Sequence, residues 1–170
     1  MAPTLTQIEQ IHKAEEHLRD LWASMEDADW APGAAVDALH VRASGAWYAL
    51  AASRVVEVLP ACWCDPIPDS PPWVLGTFRI DDESVSVIDL GLRVGGTATQ
   101  LDPSHLFIRL RVAGGLALWV TQLGEVTELQ ISDAIPPHSG IPHAPFVIGY
   151  ADADPPVTVL SVTALSGGTP

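Results

Sequence analysis

Along this chain the spacing of hydrophobic residues changes once, from a helical period to an alternating one. In the first 26 residues, Ile8, Ile11, Leu18, Leu21, Trp22 and Met25 recur at helical spacing, while Glu9, Lys13, Glu16, Arg19 and Asp20 take the other positions. That arrangement predicts an amphipathic helix. Thr6 followed by Glu9 fits a capping box at its start. "EDADWAPGAA" reads as a linker, since Pro32 and Gly33 cannot continue a helix. The apolar stripe must cover either its own domain or a partner.

From Val36 onward the pattern is that of strands. "ALHVRA", "WYALAA", "RVVEVL", "WVLGTFRI" and "VSVIDL" are short, rich in β-branched and aromatic residues, and bounded by Gly, Ser, Pro or Asp. A second set follows: "HLFIRLRV", "LALWVTQL", "EVTELQI", "FVIGYA" and "VTVLSV". About ten strands with no helical interlude predict an all-β fold and argue against a parallel α/β sheet.

The two sets run in the same order. Val56-Glu57-Val58-Leu59 aligns with Thr127-Glu128-Leu129-Gln130, an offset of 71 residues (57 to 128). Trp47-Tyr48-Ala49 aligns with Leu118-Trp119-Val120 at the same offset. Val74-Leu75-Gly76-Thr77 aligns with Val147-Ile148-Gly149-Tyr150 at 73 (76 to 149), and Val85-Ser86-Val87-Ile88 with Val157-Thr158-Val159-Leu160 at 72 (87 to 159). A Pro-rich stretch interrupts each half at the same place, "PACWCDPIPDSPP" and "AIPPHSGIPHAP", where proline stiffens a long surface connection. The expected organisation is therefore a helix and linker over 1–35, a first five-stranded barrel over 36–100, a second over 101–166, and a tail over 167–170. Closing each barrel removes the edges that so many short strands expose.

Charge narrows the partners. A net charge of −13 on 170 residues opposes nucleic acid, which needs a basic face, and an anionic membrane leaflet. No apolar run is long enough to span a bilayer, and the start lacks the basic and apolar blocks of a secretory signal. The expected location is cytoplasmic. Cys62 and Cys64 form C-x-C, awkward for a structural bridge. Two reduced thiols are the leading reading, with metal or redox chemistry the alternative, for which His138 and His143 are weak partners.

Enzyme signatures are missing. No Ser lies in a nucleophile elbow, and Gly95-Gly96 and Gly114-Gly115 lack a basic residue for phosphate. Asp81, Asp82 and Glu83 lack the spaced oxygens of a calcium loop. No catalytic residue, metal ligand or cofactor is expected. His40 and His105 fit surface or satisfied histidines. Trp47 and Trp119 fall in strands and are expected in the core, whereas Trp63 and Trp73 flank the first Pro-rich stretch and suit contact with a partner.

The ordered words "YALAASRVVEVLP", "IPDSPPWVLGTFRIDDESVSVIDL", "LALWVTQLGEVTELQISDAIPP" and "FVIGYADADPPVTVLSV" resemble the CheW family of chemotaxis coupling proteins over about residues 38–165. The resemblance implies two tandem five-stranded SH3-like barrels and no catalysis. It implies two partners: the regulatory domain of a CheA-type histidine kinase and the cytoplasmic tip of a chemoreceptor. The chain would then be a scaffold in bacterial chemosensory signalling, for flagellar or type IV pilus motility, recruited to membrane-associated receptor arrays without inserting in the membrane. The positions carried over are Val55, Glu57 and Val58 on the "EV" strand, Gly76 at the turn into the signature hairpin, and Asp81 and Asp82. Those two aspartates stand where the family usually has Arg-Gly; Ser86 replaces a Pro, and Thr121 an Asp. Arg79, two residues before Asp81, is expected to face the same side and pair with it. An Arg-to-Asp exchange repels a partner carboxylate and attracts a lysine or arginine, so the hairpin implies altered partner specificity. The alternative is a degenerate copy that binds another signalling partner without coupling a kinase.

Overall fold

Ten short strands fill the chain from Ala35 to Leu160 in a computed structural model that describes Glu9, Gln10, Lys13 and residues 35–134, 146–151, 153 and 157–167. They are β1 (Ala35–Ala43), β2 (Ala46–Ala51), β3 (Val55–Pro60), β4 (Val74–Ile80), β5 (Glu83–Asp89), β6 (Leu106–Leu110), β7 (Leu116–Val120), β8 (Gln122–Ala134), β9 (Val147–Ala151) and β10 (Val157–Leu160). The all-β reading and the number of strands are as expected. Two short helices the spacing did not predict follow β5 and β10: α1 (Leu90–Arg93) and α2 (Val162–Ser166). Each is started by a side chain that accepts a backbone N–H, Asp89 from Leu92 and Ser161 from Ala164. Glu9, Gln10 and Lys13 are helical. The rest of the amphipathic segment, the linker, and the second Pro-rich stretch with His138 and His143 lie outside the described residues. Among the described residues no helix is long and apolar enough to cross a membrane.

The strands form two five-stranded sheets. One is a closed barrel, β1-β2-β10-β9-β8, and the other runs β3-β6-β7-β5-β4. This corrects the division at residue 100. Neither sheet is one half of the chain; each takes two strands from one half and three from the other. The exchange is reciprocal, because β1 and β2 stand in the first sheet where β6 and β7 stand in the second. Two parallel pairings hold it: β2 with β10 (Ala49 opposite Val159) and β7 with β5 (Ala117 opposite Val87). The physical reason lies in β7, "LALWV", which is buried on both faces. A strand with no polar face needs apolar cover on both sides, and the place of β7 between β6 and β5 provides that.

Those two faces define the core. Leu116, Leu118 and Val120 of β7 join Ile88, Ile108 and Leu110 against Leu39, Val41, Leu50 and Leu160 of the other sheet, forming a seam between the barrels. Ala117 and Trp119 turn instead into their own barrel, with Val85, Val87, Phe107 and Cys64. The first barrel is filled by smaller residues, Ala38, Ala49, Ala51, Val157 and Val159 among them. Each Leu or Ile buried in the seam contributes about 1.5–3 kcal/mol, so the two barrels hold each other together.

The second sheet closes through a single bridge. Asp65 N–H donates to the Thr77 carbonyl at 2.7 Å, and Thr77 N–H to that of Asp65 at 2.9 Å. In the closed barrel Asp133 lies opposite Tyr150, an equivalent pairing. Register also corrects two alignments of the halves: Ala49 opposite Val159 matches Ala117 opposite Val87, so Trp47-Tyr48-Ala49 does not correspond to Leu118-Trp119-Val120. Gly76 opposite Val87 matches Gly149 opposite Val159, as expected. On the "EV" strands, Val58 lies opposite Ile108 and Val126 opposite Leu39, so Glu57 corresponds to Glu125 and not to Glu128.

Where the barrels meet, the Asp89 N–H donates to the Trp73 carbonyl and the Ser161 N–H to that of Phe146, both at 2.8 Å. Arg93 of α1 lies against both of these equivalent rings, 3.9 Å from the Trp73 centroid and 4.5 Å from Phe146. It also donates to the Gly167 carbonyl at 2.5 Å. Burial pulls its pKa down, yet an arginine remains charged there. Arg93→Ala removes both cation–π contacts, a loss of about 1–2 kcal/mol, and is expected to lower the thermal midpoint by about 2–6 °C, measured by circular dichroism.

Candidate partner interface

The β4–β5 hairpin explains the run of acidic residues. Ile80 pairs with Glu83, leaving Asp81 and Asp82 as a two-residue loop with φ of 48° and 65°. Positive φ at both positions is the type I′ turn, for which Asp is one of the tolerated residues. The chain reversal also changes the expected ion pair. Arg79 does not meet Asp81; its guanidinium donates to the Asp82 carbonyl at 3.1 Å and lies 3.6 Å from the Asp82 carboxylate. Both side chains are exposed, so the pair contributes little to stability. Among the described residues, no cation pairs with Asp81.

Glu83, although half exposed, is tied back to the sheet. Arg109 on β6 reaches it with one guanidinium nitrogen and Glu57 on β3 with another, the latter at 2.7 Å. Register places Glu57 beside Arg109 and Arg109 beside Ala117. Phe107 and Trp119 follow two residues along on the same face, so the three charges sit at the mouth of the second barrel. The hydrogen bond to Glu57 raises the Arg109 pKa further than burial lowers it. The equivalent place in the first barrel holds His40, whose Nε2 lies 2.7 Å from Thr127 Oγ1. His105 is satisfied too, accepting from the Trp119 indole at 3.1 Å.

Alternation along β3 then separates the site residues. Glu57 and Val55 are half-buried, and Val55 packs against the seam. Val56 and Val58 face solvent, 46% and 38% exposed. The sequence reading named Val58 but missed Val56, although period-two alternation puts both on one face. It also missed Glu83 and Arg109, whose pairing crosses strands distant in sequence. Val56, Glu83, Arg109 and Gly115 line one shallow cleft, which links the apolar strand to the base of the hairpin.

The remaining expected residues divide in two. Trp63 is 81% exposed, next to exposed Cys62, and is available for contact. Trp73 is half-buried against the seam and covered by Arg93. Gly76 is buried beneath the bridge; a Cβ there would lie 2.4 Å from the Asp65 carbonyl oxygen and 3.2 Å from the Cys64 Cβ. Its φ of +148° adds strain for any other residue. Trp119 is in the core as expected, whereas Trp47 is half-buried beside the His40 cleft. Cys62 and Cys64 are both free thiols, and Cys64 is buried. Among the described residues no cluster of three metal-binding side chains occurs.

Two outcomes check this geometry. Gly76→Ala is expected to cost about 2–4 kcal/mol, read from the urea midpoint, and Gly45→Ala, where the space is open, about 1 kcal/mol. Burial first, then Cys62 and Asp65, pushes the Cys64 thiol up to about 12. At pH 8 it stays protonated and inert, so Ellman's reagent should titrate one thiol quickly and the second only after denaturation.

A family model described as the CheW-like domain matches residues 37–167. Among solved structures, the scaffolding protein TtCheW from Thermoanaerobacter tengcongensis superimposes with a TM-score of 0.69 at 22% identity, covering 78% of this chain and 92% of that one. No curated protein matches the sequence. The match spans all ten strands and both short helices, and the chain belongs to the CheW-like domain family.

Proposed function

We propose that this chain is a non-enzymatic coupling adaptor, joining a CheA-type histidine kinase to the cytoplasmic tip of a chemoreceptor. It works from the cytoplasm in a receptor array that governs flagellar or type IV pilus motility. The observation that carries this reading is the extent of the family match, which takes in the ten strands of the described residues. The solved neighbour is titled a scaffolding protein, in keeping with a role played by surfaces.

The kinase's regulatory domain docks on the β3 face, where Val56 and Val58 offer exposed apolar area with Trp63 beyond them. Val55, Gly76 and Trp73 support that face from beneath and do not touch the partner themselves, while Glu57, about one-third exposed, lies at its edge. The hairpin tip sets specificity. Asp81 and Asp82 present acceptors where the family usually presents an arginine, so the favoured partner brings a lysine or arginine to the tip.

The second reading is a copy that keeps the fold and binds another signalling partner without coupling a kinase. The same Asp-Asp tip favours it, because a partner adapted to arginine is repelled. Pull-down with the cognate kinase's regulatory domain separates the two. Retention at micromolar protein supports coupling, and no retention supports the second reading. Asp81→Arg is expected to leave the thermal midpoint within about 2 °C and to change which receptor tip is retained. Unchanged retention of every receptor tip removes the hairpin from recognition.

A further inference from the structure

We infer that Arg109 is a positioning residue of the docking face: it neutralises Glu57 in advance, so that a partner can cover Val56 and Val58 without burying a bare carboxylate. This rests on the docking reading above and adds to it the residue that makes the surface usable.

Glu57 lies between Val56 and Val58 in sequence, on the strand whose outer face carries the largest exposed apolar pair of the second sheet. Its side chain is about one-third exposed, 35%. A partner that seats on Val56 also covers the cleft that Val56 shares with Arg109 and Glu83, and so strips water from the Glu57 carboxylate that Arg109 holds there. A carboxylate desolvated without a cation resists burial strongly, whereas one already held by a guanidinium is covered at much lower cost. Arg109 supplies that guanidinium, and its own side chain is only 17% exposed. Its second nitrogen holds Glu83, which ties the base of the acidic hairpin to the same strand. One forked side chain therefore joins the apolar strand to the hairpin that sets specificity. Lysine, a point charge, covers one carboxylate at a time.

The test uses the full chain and the isolated regulatory domain of the cognate CheA-type kinase, with association and dissociation followed by biolayer interferometry. Arg109→Gln is expected to accelerate dissociation about 30-fold, since truncating one member of a buried charge pair acts chiefly on the off-rate. Adding Glu57→Gln to that variant removes the bare carboxylate and is expected to restore the off-rate to within about threefold of the parent. Arg109→Lys should fall between the two. Circular dichroism on each variant shows whether it is folded, and a purely structural role for Arg109 would not be rescued by Glu57→Gln. An unchanged off-rate in Arg109→Gln, or a double variant as weak as the single, overturns the inference and leaves the adaptor reading standing. Absence of any complex with the parent chain overturns both.

Discussion

The parallel pairings of β2 with β10 and of β5 with β7 are the constraint on which the rest of the molecule depends. Each joins strands from opposite halves of the sequence, so neither barrel forms until the chain has crossed and returned. Long-range pairing of this kind bears loop-closure entropy before any contact repays it. The seam offsets that cost. Leu50, Ile88, Ile108 and Leu118 are fully buried where the sheets meet, and they lie on the strands that the exchange brings together. A molecule built this way has one cooperative core instead of two independent barrels.

The exchange also decides which surfaces stay free. β3 lies at the end of the second sheet, paired on one side with β6 and closed towards β4 only through Asp65 and Thr77. Gly76 lets the Asp65 backbone come that close, which gives this residue a role in closure. The outer face of β3 stays uncovered at Val56 and Val58. Exposed valines on so short a strand are tolerable when charges flank them, and here the flanking charges are Glu57, Glu83 and Arg109. Those side chains limit unwanted edge pairing.

Much of this was legible in the sequence. Short runs of β-branched and aromatic residues bounded by turn residues marked the ten strands, and the order of the words pointed to the family and to two five-stranded barrels. The Gly76–Gly149 and Val87–Val159 correspondences survive in the register because both strand pairs are local hairpins, whose spacing is set by short turns. The exchange was not legible, since sequence similarity between halves says nothing about which copy a strand pairs with. The "EV" alignment slipped by three residues for a related reason. Glu57-Val58 matches both Glu125-Val126 and a looser Glu128-Leu129, and only the pairing with β1 and β6 decides between them. Arg109 stayed hidden because its two carboxylates are 52 and 26 residues away, beyond any local pattern. The short helices were missed for want of length, and their signal was a single capping side chain after each strand.

The acidic hairpin shows why recognition can change while the fold stays the same. A type I′ turn asks only that its two loop residues accept positive φ, and Asp81 and Asp82 do so at modest cost. Their side chains project from the tip and carry no packing, so charge there is free to vary. Glu83, one residue later, is bound to Arg109 and is not. The boundary between side chains left free at the tip and one held by the structure therefore runs between positions 82 and 83. Carboxylates adjacent in sequence serve different ends, because the turn sends two of them into solvent and the ladder returns the third to the mouth of the barrel.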